Sequence, residues 1–324
     1  MRIEPKKIMC AIDFSDFTNL ILSYGKSLAS EFDATLCLCH IVSGPLMVSS
    51  HMPPYLDYAG IESERIQNAQ DKLERIAEKM DMQCEIRVST GQPAEEIEQI
   101  TRENNINMVI AATHGGSGIK RFLIGSVTNR LVKILSCPLL VLHAKEKHLD
   151  SPIEGSIKLN RILVGCDFSP DSQLAFDYAL SLAQEFQTQL YLAHVMKPKS
   201  IPIPTADYVP GGDQVSWARA EYPGLSKKEL SDNKKARDAL LKSLEDKLTH
   251  MVPEDSRNWC TPITILLEGE PYKELITYAE KEKIDMIILG VHGYSLLEQF
   301  LVGSTTDRVI SRAGCSVLAV RHIV

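Results

Sequence analysis

The chain has 324 residues, too long for one typical core and suited to two domains of roughly 150 residues each. Its 35 basic and 42 acidic residues leave a net charge of −7, which excludes the electrostatic footprint of a DNA-, RNA- or anionic-membrane-binding protein. The longest apolar stretches are strand-sized and charges interrupt the N-terminal "MRIEPKKIMCAIDFSD", so neither membrane insertion nor a secretory leader is expected, and a cytoplasmic location is.

In chain order, "KIMCAI", "TLCLCHIV", "CEIRVS", "NMVIAA" and "LLVLH" are predicted strands, separated by helical patterns. The first helix repeats apolar residues at Leu20, Tyr24, Leu28 and Phe32, and the stretch from Ile66 to Met80 puts Ile66, Ala69, Leu73, Ile76 and Met80 on one face. Continuous apolar strands in the order βαβαβαβαβ imply a mostly parallel sheet with helices on both faces. Ligands bind such sheets at the carboxyl ends of the strands, near a topological switch point. The polar "HAKEKHLDSPIEGSIKLN" follows, and residues 145–158 read as a linker between a first domain, 1–144, and a second, 159–324.

Beyond the linker the pattern returns. "IMCAIDFS" at Ile8 is answered by "ILVGCDFS" at Ile162, and Leu174, Tyr178, Leu182 and Phe186 repeat the first helix face. The offset of 154 later becomes 178, carrying His114 onto His292, Gly125 onto Gly303 and Cys137 onto Cys315, so the second copy has 24 extra residues. Over Ile110 to Leu142, 12 of 33 positions match their partners, which makes this a duplicated domain. The extra residues fall in a Pro- and Gly-rich loop, 197–230, containing Tyr208, Trp217 and Tyr222. It reads either as a lid over a ligand or as a tolerated insertion.

The eight cysteines lie mostly in apolar runs and read as buried thiols; Cys37 and Cys39 share a strand face, but no further His or Cys completes a metal set. The segments "ATHGGSGIKRFLIGSVTNRL" (Ala112 to Leu131) and "GVHGYSLLEQFLVGSTTDRV" (Gly290 to Val309) are more informative. In the second, Gly290 and Gly293 lie just past a buried strand, while Gly303, Ser304 and Thr305 lead into a helix. Glycines let backbone amides turn toward an anion, and a helix N-terminus attracts one, so the two parts define a phosphate-sized site. Ser304 also reads as a helix N-cap. No Walker A sequence occurs, and "GSGIKR" only begins like G-x-G-x-x-G.

The spacing G-x-x-G, nine residues, G-S resembles the signature of the universal stress protein (UspA) family, here across almost the whole chain as two tandem copies, a UspE-like arrangement. That resemblance implies an α/β fold of two tandem Rossmann-like (HUP, adenine nucleotide alpha hydrolase-like) domains, each with a five-stranded mostly parallel sheet. It also implies ATP as ligand, with Mg2+ able to accompany the phosphates. Carried over residue by residue, it assigns Asp167 to the base and ribose end and Val195 to adenine, with Gly290, His292, Gly293, Gly303, Ser304 and Thr305 at the phosphates. The first copy offers Asp13, Ile41, His114, Gly115, Gly125, Ser126 and Val127. Asp13 and Asp167 have a secondary reading as turn residues or helix caps, His40 and His194 read as satisfied core residues, and His114 and His292 as loop residues presenting backbone amides. Ala112 replaces the first glycine, so nucleotide is expected mainly in the second domain. Both copies also lack the proline that some ATP-binding relatives carry two residues before the aspartate.

Neither loop has a nucleophile beside a base, nor a cation at an equivalent place in both copies. Catalytic residues and a dedicated metal site are therefore not expected, and hydrolysis would be weak at most. The leading expectation is a stress-response protein whose unidentified protein partners respond to nucleotide. The alternatives are a sensor of another small ligand, using the lid and the cleft between copies, and a slow ATPase. An adenylating enzyme of the same broad fold would carry S-G-G-x-D-S, H-I-G-H or K-M-S-K-S, all absent. The resemblance further implies that the last strands, "PLLVLH" and "SVLAVR", pair as an internal pseudo-dimer, since one-domain family members commonly dimerise there; further homodimerisation is left open.

Overall fold

The computed structural model describes residues 3–43, 58–113, 125–143, 157–196, 227–258, 260, 262–292 and 302–322. The first copy runs β1 (Lys7–Ala11), α1 (Thr18–Phe32), β2 (Thr35–Ser43), α2 (Tyr58–Glu78), β3 (Cys84–Gly91), α3 (Pro93–Glu103), β4 (Met108–Ala112), α4 (Ser126–Ile134) and β5 (Leu139–Leu142). The second runs β6 (Arg161–Gly165), α5 (Pro170–Phe186), β7 (Gln189–Met196), α6 (Lys227–Met251), a short 3-10 turn (Glu254–Asn258), β8 (Ile263–Glu268), α7 (Pro271–Lys281), β9 (Met286–Gly290), α8 (Ser304–Arg312) and β10 (Ser316–Val320).

The two sheets are one. Strand order is β3-β2-β1-β4-β5-β10-β9-β6-β7-β8, parallel within each copy and antiparallel where β5 meets β10, with Val141, Leu140 and Leu139 opposite Val317, Leu318 and Ala319. Burial explains the uninterrupted apolar strands. In β1, Ile8 and Cys10 face a core shared with α1, α2, α5 and α6, while Met9 faces the opposite core shared with α3, α4, α7 and α8. Both faces are covered, so the period-two alternation of a half-exposed strand has no place here.

Reciprocal contacts tie the copies together. The Ile3 amide donates to Ser181 Oγ at 2.9 Å, and its counterpart Ile157 donates to Ser27 Oγ at 3.0 Å. On the other face His143 Nε2 bonds the Ile310 carbonyl at 2.7 Å, and its counterpart Arg321 donates to the Val132 carbonyl at 2.8 Å. His143 and Arg321 each follow the last strand of one copy and meet the carboxyl end of a helix in the other, where unpaired carbonyls favour a donor.

The expected loop is shorter than 197–230, because α6 begins at Lys227; residues 197–226, with Tyr208, Trp217 and Tyr222, lie outside the described residues, as does 145–156 of the expected linker. All eight cysteines are free. Burial pushes the Cys37 thiol up to about 11 and the Cys137 thiol up to about 12, which keeps both protonated and unreactive at neutral pH. Among the described residues no helix is long and apolar enough to cross a membrane.

Candidate functional site

In each copy the strand order reverses between its first and fourth strands, and the chain leaving those strands opens a crevice at their carboxyl ends. The second crevice is a cavity of about 530 Å3 lined by Asp167, Val195, Gly290, His292, Gly303, Ser304 and Thr305 among others. The first, about 490 Å3, is lined by Asp13, Ile41, Ala112, Gly125, Ser126 and Val127. Both volumes fall in the ~300–1,000 Å3 range of small-molecule sites.

The floor is built identically in both copies. Asp13 Oδ1 accepts from the Ser15 amide and Asp167 Oδ1 from the Ser169 amide, each at 3.0 Å, which makes both aspartates turn-formers that also face the cavity. The residue between takes a left-handed conformation, φ 58° at Phe14 and 65° at Phe168. For a bulky side chain this costs roughly 1–2 kcal/mol. The aspartate turn and the ring's contacts offset it: Phe14 lies against His40 at 4.4 Å and Phe168 against His194 at 4.8 Å, centroid to centroid, with Lys72 and Lys247 over the same two rings. Each histidine donates from Nδ1 to the carbonyl before the aspartate, Ile12 at 2.7 Å and Cys166 at 2.8 Å. They are therefore satisfied structural residues, and burial lowers the His40 pKa against the opposing pull of its hydrogen bond.

The opposite wall is a helix start. Helix α8 begins at Ser304, with Gly303 as N-cap, and α4 begins at Ser126 with Gly125 as N-cap; neither start has a side-chain cap. This corrects the expectation of Ser304 as N-cap: it is the first helical residue, and its hydroxyl is exposed. The Thr306 hydroxyl donates to the Gly290 carbonyl and that of Thr128 to the Ala112 carbonyl, both at 2.6 Å, fixing each helix start to its strand end. The first-turn amides thus open toward the crevice, the arrangement that attracts anions.

The copies part at the strand end. A Cβ on Gly290 would lie 2.7 Å from the Asp171 carbonyl carbon and Cβ, and 2.9 Å from the Ser172 amide nitrogen. Gly290 is thus glycine because the first turn of α5 crosses it. In the first copy α1 starts at Thr18, two positions later than Pro170 starts α5, and the Ala112 methyl packs onto the core on that side. Ala112 thus packs against that core and also lines the first crevice.

The close approach at Gly290 delivers a carboxylate. Asp171, 6% exposed, accepts at Oδ2 from the His292 amide (2.9 Å) and His292 Nδ1 (3.0 Å), and at Oδ1 from the His322 amide (3.0 Å). The expectation that His292 presents its backbone amide to a ligand is therefore corrected, since Asp171 takes that amide. Sequence reasoning missed Asp171: an acid in a first helical turn reads as a dipole complement, and 121 residues separate it from His292. Its counterpart in the first copy is Phe17. The structure therefore brings together Asp167, Val195, Gly290, His292, Gly303, Ser304 and Thr305, and likewise Asp13, Ile41, Gly125, Ser126 and Val127. Gly293, His114 and Gly115 lie outside the described residues. Among the described residues no group of His, Cys, Asp and Glu could hold a metal ion.

Comparison with known proteins yields the same duplication. The profile of the Universal stress protein family matches residues 4–143 and again 158–321. A universal stress protein of Methanocaldococcus jannaschii is 30% identical over 162 residues, which is 50% of this chain and 81% of that protein. One from Mycobacterium tuberculosis strain H37Rv is 22% identical over 331 aligned residues, covering 98% of this chain and 99% of its own. The crystal structure of a universal stress protein from Archaeoglobus fulgidus superposes with a TM-score of 0.63 at 16% identity, over 98% of this chain and 99% of that one, a likeness of fold.

Proposed function

The chain belongs to the universal stress protein family as two tandem domains, and on that premise we propose that it binds adenine nucleotide, mainly in the second domain. The observation that carries this reading is the second crevice, where the uncapped start of α8 stands across about 530 Å3 from Asp167 and Val195. In this reading ATP lays its phosphates against Gly303 and on the first-turn amides of Ser304 and Thr305, the Gly303 amide itself being held by the Val291 carbonyl at 2.7 Å. Its adenine meets Val195 and its ribose Asp167, whose carboxylate is kept from the phosphate charge. Mg2+ comes with the phosphates, without a protein cage. The domain boundaries are 1–144 and 159–324. Site 1, with the same uncapped helix start, is the weaker one.

The nucleotide acts as a signal: occupied and empty forms present different surfaces to a protein partner, and hydrolysis is at most slow. Eight free cysteines suit a reducing cytoplasm. Mass spectrometry of small molecules released from purified protein, with melting scans in MgATP, tests the reading. Ligand at about 100 times its Kd stabilises by roughly 2.7 kcal/mol. Ser304→Asp, which places a carboxylate against the phosphates while suiting a helix start, should remove most of that gain. No adenine nucleotide in the preparation, together with an unmoved melting temperature, sinks the proposal.

A further inference from the structure

We propose that Asp171 and His292 form a dyad that presents His292 Nε2 to the terminal phosphate of the second site's ligand, with Asp171 as the positioning residue. The inference rests on the nucleotide reading above for the identity of the ligand and on three observations of its own. Asp171 is buried, and its carboxylate accepts both the amide and Nδ1 of His292, so backbone and ring of that residue are set by one group. The ring's other nitrogen, Nε2, is buried and has no hydrogen-bond partner among the described residues. His292 lines the same cavity as Ser304 and Thr305, at the end opposite neither but beside the strand terminus they are tied to through Thr306.

An imidazole nitrogen left buried without a partner costs about 1–3 kcal/mol, and a ligand oxygen removes that cost. The chemistry selects the oxygen. With the Nδ1 proton given to Asp171, Nε2 of the neutral ring carries a lone pair, so it engages an anionic phosphate oxygen only with a proton taken up from solvent on binding and shared between Nε2 and that oxygen. The helix start supplies amides to the same anion, so the dyad adds a contact that grows with the length of the phosphate chain. The first copy has Phe17 in place of Asp171 and therefore lacks the carboxylate. The difference between the sites is then one of recognition: the second distinguishes nucleoside triphosphate from monophosphate more sharply than the first.

The test uses the full chain carrying Ser126→Asp, which repels phosphate from the first site, and measures affinity for AMP, ATP and inorganic tripolyphosphate. His292→Gln and Asp171→Asn are added separately to that parent. The expected result is about a 10-fold loss of ATP affinity in each, with AMP changed less than about 2-fold. Equal losses for AMP and ATP, or none for either, overturn the dyad while the nucleotide reading stands. If the parent ignores AMP and ATP yet binds tripolyphosphate in a His292-dependent way, the nucleotide reading fails and the dyad survives; a parent that binds none of the three overturns both. His292→Gln, at a partly buried position, keeps the test open should Asp171→Asn fold poorly.

Discussion

Residues 112 and 290 occupy the same place in the two copies, the last residue of the fourth strand, yet one is alanine and the other glycine. Read along the chain, the alanine looks like a damaged ligand loop. In space the position answers to the helix that crosses behind it. "DFSPDS" starts α5 at Pro170, whose fixed φ suits the first helical residue, and the Ser169 hydroxyl accepts from the Ser172 amide at 3.2 Å. "DFSDFT" has neither the proline nor a side-chain cap, and α1 begins only at Thr18. The earlier start brings the helix onto residue 290, leaves no room for a Cβ and carries Asp171 to His292. One copy gains a buried carboxylate at its ligand loop and the other keeps a methyl in its core, a difference of helix capping that reaches the binding site.

The largest test of this contrast is Gly290→Ala against Ala112→Gly. The first forces backbone apart at 2.7 Å and should cost about 3 kcal/mol in denaturant unfolding, while the second should cost only about 0.5–1 kcal/mol for a more flexible strand end. Comparable costs would mean that the helix approach does not distinguish the copies. Next come the reciprocal clamps. Arg321→Ala removes charged hydrogen bonds to Val132 and Lys133 and should lower stability by about 1.5–2 kcal/mol; His143→Ala, which loses one bond to Ile310, should lower it by about 1 kcal/mol. If a double variant loses no more than Arg321→Ala alone, the two clamps do not act independently.

The smallest effect is at His40. Its folded pKa is lowered by burial, so the unfolded chain binds its proton first and stability falls as pH drops below about 6.5 toward the folded value. The urea midpoint should decline over that window in the parent and lose this component in His40→Gln. A histidine NMR titration placing His40 above 6.5 would reverse the sign.

Much of this was legible in the residues. Apolar runs such as "KIMCAI" and "ILVGCDFS" carry their own strand signal, because a buried parallel strand needs side chains that suit both faces. The duplication was plain from paired motifs; the crevice residues Gly303 and Ser304 followed from their place at a helix start, while Asp167 and Val195 came from the family resemblance. Less was visible where two distant segments decide one position. Gly290 looked like a ligand glycine because glycine before a phosphate loop has a local rationale, whereas its neighbour in space is 119 residues away in sequence, at Asp171.

The same division holds at the seam between the copies. Sequence by itself determined the strands, their parallel order and the repeat, since hydrophobic period and turn chemistry are local properties that each segment carries wherever it packs. The pairing of the last strands was expected from the family resemblance; only the tertiary structure decided its antiparallel register, that Arg321 and His143 each clamp a helix of the other copy, and that Asp171 reaches His292. Those are contacts between surfaces brought together by folding. Their energies depend on distances of a few ångströms that no local pattern encodes, which is why one missing methyl at Gly290 could be read from the sequence and explained only in space.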